Sequence, residues 1–257
     1  MTFDLVVATV DRVAELDRLL ASLDAQTHGD FRVLVADQNG DDRVAEVLAR
    51  HADLDIMRFR TPTGLSRARN AVLPSVTADV VAFPDDDCVY PPDLLERVAA
   101  RIEGLDGVTG REPWWQSEPA RLTRENLWNR AISFTIFLRR GVVERIGPFD
   151  ERLGLPSSSG EETDYLIRAL DSGAVIEYDP DLVVDHPRKQ VDLKAVGARD
   201  GASVGYILRK HGYPPRTVAR MMVRPAGGAV VALVRLDRDR AGFHISTLRG
   251  RMLGYRS

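Results

Sequence analysis

Short β-branched apolar runs alternate with helix-periodic segments through the first hundred residues, and this alternation limits the chain's folds more than any other feature. DLVVATV (4–10), FRVLVAD (31–37), DIMRF (55–59) and DVVAF (79–83) are bounded by charged or turn residues, the pattern of strands buried on both faces. Between the first two, Val13, Leu16, Leu19, Leu20 and Leu23 recur at helical spacing, and Val44, Val47 and Leu48 repeat the pattern after the second. Repeated β-α-β implies an α/β fold, with a mostly parallel central sheet flanked by helices. Ligands of such open sheets bind at the carboxyl ends of the strands. TVDR, DQNGDD and PDDDC all lie at such ends, so they are expected to converge on one crevice.

From residue 104 onward the order is less regular. DGVTGREPWW reads as a strand entering an aromatic loop, where the adjacent indoles of Trp114 and Trp115 read either as a stacking surface for a ligand or lipid or as paired core residues pointing opposite ways. SFTIFLRRGVVERIGPFDERLG reads as a strand, a short helix and a Gly-Pro turn, and GEETDYLIRALDSG as a helix with Leu166, Ile167 and Leu170 on one face. VIEYDPDLVVDHP reads as a pair of short strands closing on His186.

Charge divides the chain again. Residues 203–257 carry eleven Arg or Lys against two Asp, a net of +9, so that the formal −3 of the whole leaves −12 on residues 1–202. The expected organisation is an acidic domain over 1–202 and a helical basic extension over 203–257. Arg216, Arg220 and Arg224 recur at i, i+4 and i+8, as in a helix lying on an anionic membrane, and nucleic acid is not the expected partner. A lid on the acidic body and a homodimer contact stand as alternatives. No stretch approaches the roughly 18–20 apolar residues of a membrane span, and MTFDLVVATVDR lacks the parts of a secretory signal. A cytoplasmic location, peripheral on the inner face of the membrane, is therefore expected. The lone Cys88 cannot form an intrachain disulfide.

The usual phosphate-binding signatures, G-x-x-x-x-G-K-[ST] and G-x-G-x-x-G after the first strand, are missing. Three consecutive carboxylates, Asp85, Asp86 and Asp87, follow the fourth apolar run instead. They repel one another unless a cation lies between them, which suits Mn²⁺ or Mg²⁺ bridging to substrate phosphates. The competing reading is a solvated acidic turn capping the helix that begins near Pro92.

Context favours the metal. DLVVATVDR, VLVADQNGDD, GLSRARNAV, VVAFPDDDCVYPPDLL, IGPFDERLG, GEETDYLIR and DLVVDHP occur in this order over residues 3 to about 190. This series resembles the inverting nucleotide-sugar glycosyltransferases of glycosyltransferase family 2. The resemblance implies a single Rossmann-like glycosyltransferase A-type domain and a nucleotide diphosphate sugar donor, with a glycan, lipid-linked or small-molecule acceptor. By the same resemblance Asp85 and Asp87 are the outer members of a D-x-D motif, with Asp87 on the metal and Asp85 and Asp86 near ribose or metal-bound water. His186 matches a histidine that supplies a further metal ligand. Ala8, Thr9, Asp11 and Asp37 match the base and ribose pocket, and Arg69 and Asn70 the donor site. Gln38 stands where many relatives have a second acid, which opens the identity of the base. Inversion needs a base for the acceptor hydroxyl, and Glu161-Glu162 replaces the family's Glu-Asp pair, with Glu162 as the base and Glu161 as the alternative. A sugar-phosphate nucleotidyltransferase would need a Gly-rich basic loop where ATVDRVAE stands. A non-catalytic nucleotide-sugar-binding module would be expected to lose these carboxylates.

Overall fold

A computed structural model describes residues 1–113, 115–155, 158–187 and 192–257. Trp114 lies outside the described residues, so the expected indole pair reduces to Trp115, which is half-buried and donates its backbone N–H to the Glu112 carbonyl. The chain forms two compact units, Met1–Asp150 with Tyr165–Pro187, and Glu151–Asp164 with Arg188–Ser257.

The first unit is built on strands β1 (Phe3–Thr9), β2 (Phe31–Asp37), β3 (Ile56–Arg60), β4 (Val80–Ala82), β5 (Gly107–Arg111), β6 (Ala120–Arg121), β7 (Ile136–Arg139) and β8 (Ile176–Val183). They form one sheet in the order β3-β2-β1-β4-β7-β5-β8-β6. The four strands β3, β2, β1 and β4 are mutually parallel, and β7 enters antiparallel between β4 and β5. Helices α1 (Val13–Asp24), α2 (Arg43–Leu48), α3 (Leu65–Val72), α4 (Leu94–Arg101), α5 (Arg140–Ile146) and α6 (Glu161–Asp171) follow in chain order.

Alternation along β1 sorts these helices into two layers, because successive side chains of a strand point to opposite faces. Phe3, Leu5 and Val7 pack with Leu16, Leu19 and Leu20 of α1, Val44 of α2 and Leu94 and Val98 of α4. Val6 and Ala8 pack with Ala68 and Val72 of α3, Val142 of α5 and Leu166 of α6. All of β1 is buried, as its apolar run predicts. Two expectations need correction. β3 is an edge strand with no fully buried residue, since nothing pairs beyond it. VIEYDPDLV is a single strand, β8, because Pro180 needs no donor where the register against β5 shifts.

In the second unit, α7 (Leu193–Lys210) and α9 (Arg238–Arg256) pack with almost no side-chain spacer. A methyl placed on Gly205 would overlap the carbonyl oxygen of Arg251, and one on Gly254 that of Ala202. Glycine at four-residue intervals, at 197, 201 and 205 on one helix and at 250 and 254 on the other, keeps each contact face free of Cβ atoms. The boundary expected at residue 202 therefore falls inside α7. Helix α8 (Pro215–Val234) buries Thr217, Pro225, Ala229 and Ala232, and half-buries Val218, Met221, Met222, Ala226 and Gly228. Arg216, Arg220 and Arg224 are exposed on its first half, and Val230, Val231, Leu233 and Val234 on its second, the last at 79 %. By length and composition it is the one helix among the described residues suited to crossing a membrane. Met, Val, Ala and Gly between Arg220, Arg224 and the helix end keep the stretch apolar on average, although the run uninterrupted by charge, between Arg224 and Arg235, stays well short of the roughly 18–20 apolar residues of a span.

Candidate active site

Parallel pairing brings the strand ends together. Thr9 pairs with Asp37, and Ala8 forms an isolated bridge with Asp85, so the ends of β1, β2 and β4 lie side by side as their polar clusters predict. A second bridge, between Val89 and Asp185, carries His186 to the carboxylates although about a hundred residues separate them in sequence.

Asp85, Asp87 and His186 each offer one ligand atom, and the three atoms lie within 4.8 Å of one another. His186 Nε2 is 3.0 Å from Asp87 Oδ1, and Nδ1 is 3.6 Å from Glu112 Oε1. The ring stacks on Phe134, with centroids 4.8 Å apart and planes 6° from parallel. Its hydrogen bond to Asp87 raises the imidazole pKa against the opposing effect of burial. Glu112 and Arg12 are site residues that the sequence reading did not single out. Arg12 stood in the quoted ATVDR cluster, adjacent to a chosen residue, whereas Glu112 carried no local signal.

The triad is not left to mutual repulsion. Arg12 Nη1 donates to Asp86 Oδ1 at 2.9 Å and to Asp87 Oδ2 at 3.2 Å. Arg69 Nη2 donates to Asp85 Oδ1 at 3.2 Å and to the Ser133 hydroxyl at 2.6 Å. Burial pushes the Asp86 carboxyl up to about 6, and the adjacent Arg12 guanidinium limits that rise. Two cations, the guanidinium groups of Arg12 and Arg69, thus already lie against the three adjacent carboxylates.

Arg69, expected at the donor site, reaches Asp85 from a buried position. It is 1 % exposed, and its guanidinium carbon sits 5.6 Å from the Phe83 ring centre and 5.5 Å from that of Phe149. Asn70 bonds both ways with the backbone of Phe149, donating to its carbonyl at 3.0 Å and accepting from its N–H at 2.7 Å. These two residues tie α3 to the strand end and to the IGPFD turn.

The expected base pocket is also internally bonded. Asp37 accepts from the backbone N–H and side-chain amide of Asn39 and from Arg58 Nε, at 2.9, 2.8 and 2.8 Å. Burial alone would raise its pKa, but these donors hold it below the ordinary carboxylate value. Gln38 Oε1 accepts from the Gly64 N–H at 2.7 Å, so that carbonyl holds the entry to α3. Asp11 adopts φ 56° and keeps its side chain largely in solvent, where Arg43 Nη1 contacts it at 2.9 Å. Thr9 and Ala8 are buried at the end of β1.

In the second unit, Glu161 and Glu162 open α6 with Asp164 in the same first turn. Glu161 is buried and Glu162 half-buried. Asp164 is fully buried and pairs with Lys210 Nζ at 2.6 Å and His211 Nε2 at 2.8 Å, closing the end of α7 onto the start of α6.

Residues 4–155 match the family model of glycosyl transferase family 2. The chain belongs to this family. A pre-mycofactocin glycosyltransferase of Mycobacterium tuberculosis is 26 % identical over 257 residues, covering 90 % of this chain and 52 % of the relative. The succinoglycan biosynthesis protein ExoM of Rhizobium meliloti is 26 % identical over 246 residues, covering 88 % of this chain and 76 % of that protein. This family 2 chain therefore spans about half the length of the mycobacterial relative. Among solved structures, the mannosyltransferase PcManGT of Pyrobaculum calidifontis, in complex with GDP-Man and Mn²⁺, superposes with TM-score 0.73 at 16 % identity, over 98 % of this chain and 86 % of its own. S. aureus TarS 1–349 in complex with UDP-GlcNAc gives 0.62 at 17 % identity, over 100 % of this chain and 92 % of its own. The two solved structures share this chain's fold.

Proposed function

We propose that this family 2 chain is a metal-dependent, inverting glycosyltransferase that moves a sugar from a nucleotide diphosphate sugar to a hydroxyl of a glycan, lipid-linked or small-molecule acceptor. The observation that carries the reading is the convergence of Asp85, Asp87 and His186 where the segments after β4 and β8 meet through the Val89–Asp185 bridge. Two carboxylates and one imidazole are a donor set for a divalent cation, and the nitrogen favours Mn²⁺ over the harder Mg²⁺. Asp87 turns Oδ1 toward His186 Nε2 while Arg12 holds Oδ2, so the carboxylate and imidazole that would hold the ion already face each other. A divalent cation bound there supplies positive charge to the departing diphosphate. PcManGT and TarS, bound to GDP-Man and UDP-GlcNAc, support the donor class.

In this reading Glu162 takes the proton of the acceptor hydroxyl as its oxygen attacks the anomeric carbon. The bond from that carbon to the diphosphate breaks on the opposite face, and the diphosphate leaves with the electron pair. An alcohol is a weak acid, so proton transfer accompanies bond formation. Glu162 suits the task better than Glu161 because a base must reach substrate, and Glu162 retains solvent access. Asp11, Thr9 and Ala8 are assigned to the nucleoside.

The exposed Val230, Val231, Leu233 and Val234 of α8 and Leu236 just beyond its end, next to the arginine row, support peripheral contact with an anionic bilayer on the cytoplasmic side. Calorimetry of GDP and UDP binding with Mn²⁺ and with EDTA tests the central claim. Metal-dependent affinity in the wild type, lost in Asp87→Ala, is the expected result, and equal affinity in both conditions overturns it.

A further inference from the structure

We infer that Arg12 is an internal counter-cation of the acidic triad, which keeps the site charged without a divalent ion and makes metal capture depend on the incoming diphosphate. The inference rests on the metal reading above and concerns the order in which charges are assembled.

Asp86 and Asp87 have side chains 5 % and 1 % exposed, adjacent in sequence and bridged by one nitrogen of Arg12. Two neighbouring carboxylates removed from water each carry a desolvation cost of several kcal/mol, which an ion pair of good geometry offsets. Arg12 is the solvent side of this arrangement. Its side chain is 44 % exposed and extends from the short connection between β1 and α1. The carboxylates are held at the packed strand end, whereas the guanidinium reaches them from the solvent side.

A divalent ion on Asp85, Asp87 and His186 shares the Asp87 carboxylate with Arg12. Like charges a few ångströms apart at an effective dielectric constant of about 20 repel by several kcal/mol. Arg12 therefore lowers the affinity of the site for a bare cation. A diphosphate adds negative charge to the same place, so the ion and the guanidinium are accommodated together. Metal and nucleotide then bind with positive coupling, which must be reciprocal. Arg12 as a pure positioning residue for Asp87 predicts the opposite sign, because loss of such an outer partner usually weakens metal binding by 10- to 100-fold.

Mn²⁺ binding by electron paramagnetic resonance, with and without GDP or UDP, separates these roles. Arg12→Gln keeps an amide donor for the carboxylates and removes the charge, while Arg12→Lys keeps the charge and removes the fork. The counter-cation role predicts that Arg12→Gln binds Mn²⁺ alone at least tenfold more tightly than the wild type, with the enhancement by nucleotide reduced by a similar factor. Arg12→Lys is expected to stay near the wild type. Thermal unfolding gives a second readout, in which Mn²⁺ raises the midpoint more in Arg12→Gln than in the wild type. Unchanged or weaker Mn²⁺ binding in Arg12→Gln, with normal binding in the wild type, overturns this inference and leaves the metal reading standing. No Mn²⁺ binding by the wild type with or without nucleotide overturns both.

Discussion

Replacing Arg69 by methionine tests whether this side chain organises the acidic loop or faces the donor. Methionine has comparable length and fills the space between Phe83 and Phe149, so the change isolates the charge and its hydrogen bonds. Removing one partner of a buried ion pair costs about 3–5 kcal/mol. The Asp85 side chain remains 28 % exposed, so water takes up part of the uncompensated charge and the low end applies. Loss of the cation over two aromatic rings adds about 0.5–1 kcal/mol each, partly offset by the new apolar contacts. The expected destabilisation is about 3–4 kcal/mol, which in a chain of this size lowers the melting midpoint by roughly 6–16 °C. Urea unfolding followed by circular dichroism measures it directly, and Arg69→Lys is expected to recover about half because it restores charge without the planar fork. If Arg69→Met unfolds within about 1 kcal/mol of the wild type yet loses nucleoside diphosphate affinity, the guanidinium serves the donor and the structural argument fails.

Glu162→Gln is expected to bind donor normally and to lose about 10²–10⁴ in turnover, the scale of a removed general base; an active Glu162→Gln beside an inactive Glu161→Gln moves the assignment by one residue. Flotation with anionic and neutral liposomes is expected to show salt-sensitive binding to the anionic set that weakens when Val234 and Leu236 are changed to Asp, because both are more than three-quarters exposed and aspartate there repels the lipid headgroups. Binding that survives those changes, or is absent, rejects the α8 contact. Gly254→Ala adds a methyl against the Ala202 carbonyl and is expected to destabilise by about 1–3 kcal/mol through overpacking, despite the better helix propensity of alanine. A neutral or stabilising effect in thermal unfolding would mean that α7 and α9 separate at little cost.

Periodicity alone determined the α/β class, the first four strands and the convergence of their polar ends, because the strands are short, three of the four are largely buried, and each is followed by a helix. Motif order points to the family, and the D-x-D carboxylates and His186 are legible in it. The charge balance of that cluster was illegible. Arg12 lies about seventy residues from the aspartates and Arg69 about sixteen, and no local pattern distinguishes a guanidinium that pairs with a buried carboxylate from one in solvent. Asp37 and Gln38 illustrate the same limit, since their internal partners Arg58 and Gly64 are set by strand pairing and the entry to α3. The contact of α7 with α9 left a readable trace in its glycine spacing, but that spacing says only that a close approach is permitted. Which helix fills the groove is a property of tertiary packing, because the missing Cβ atoms define a surface and not its partner.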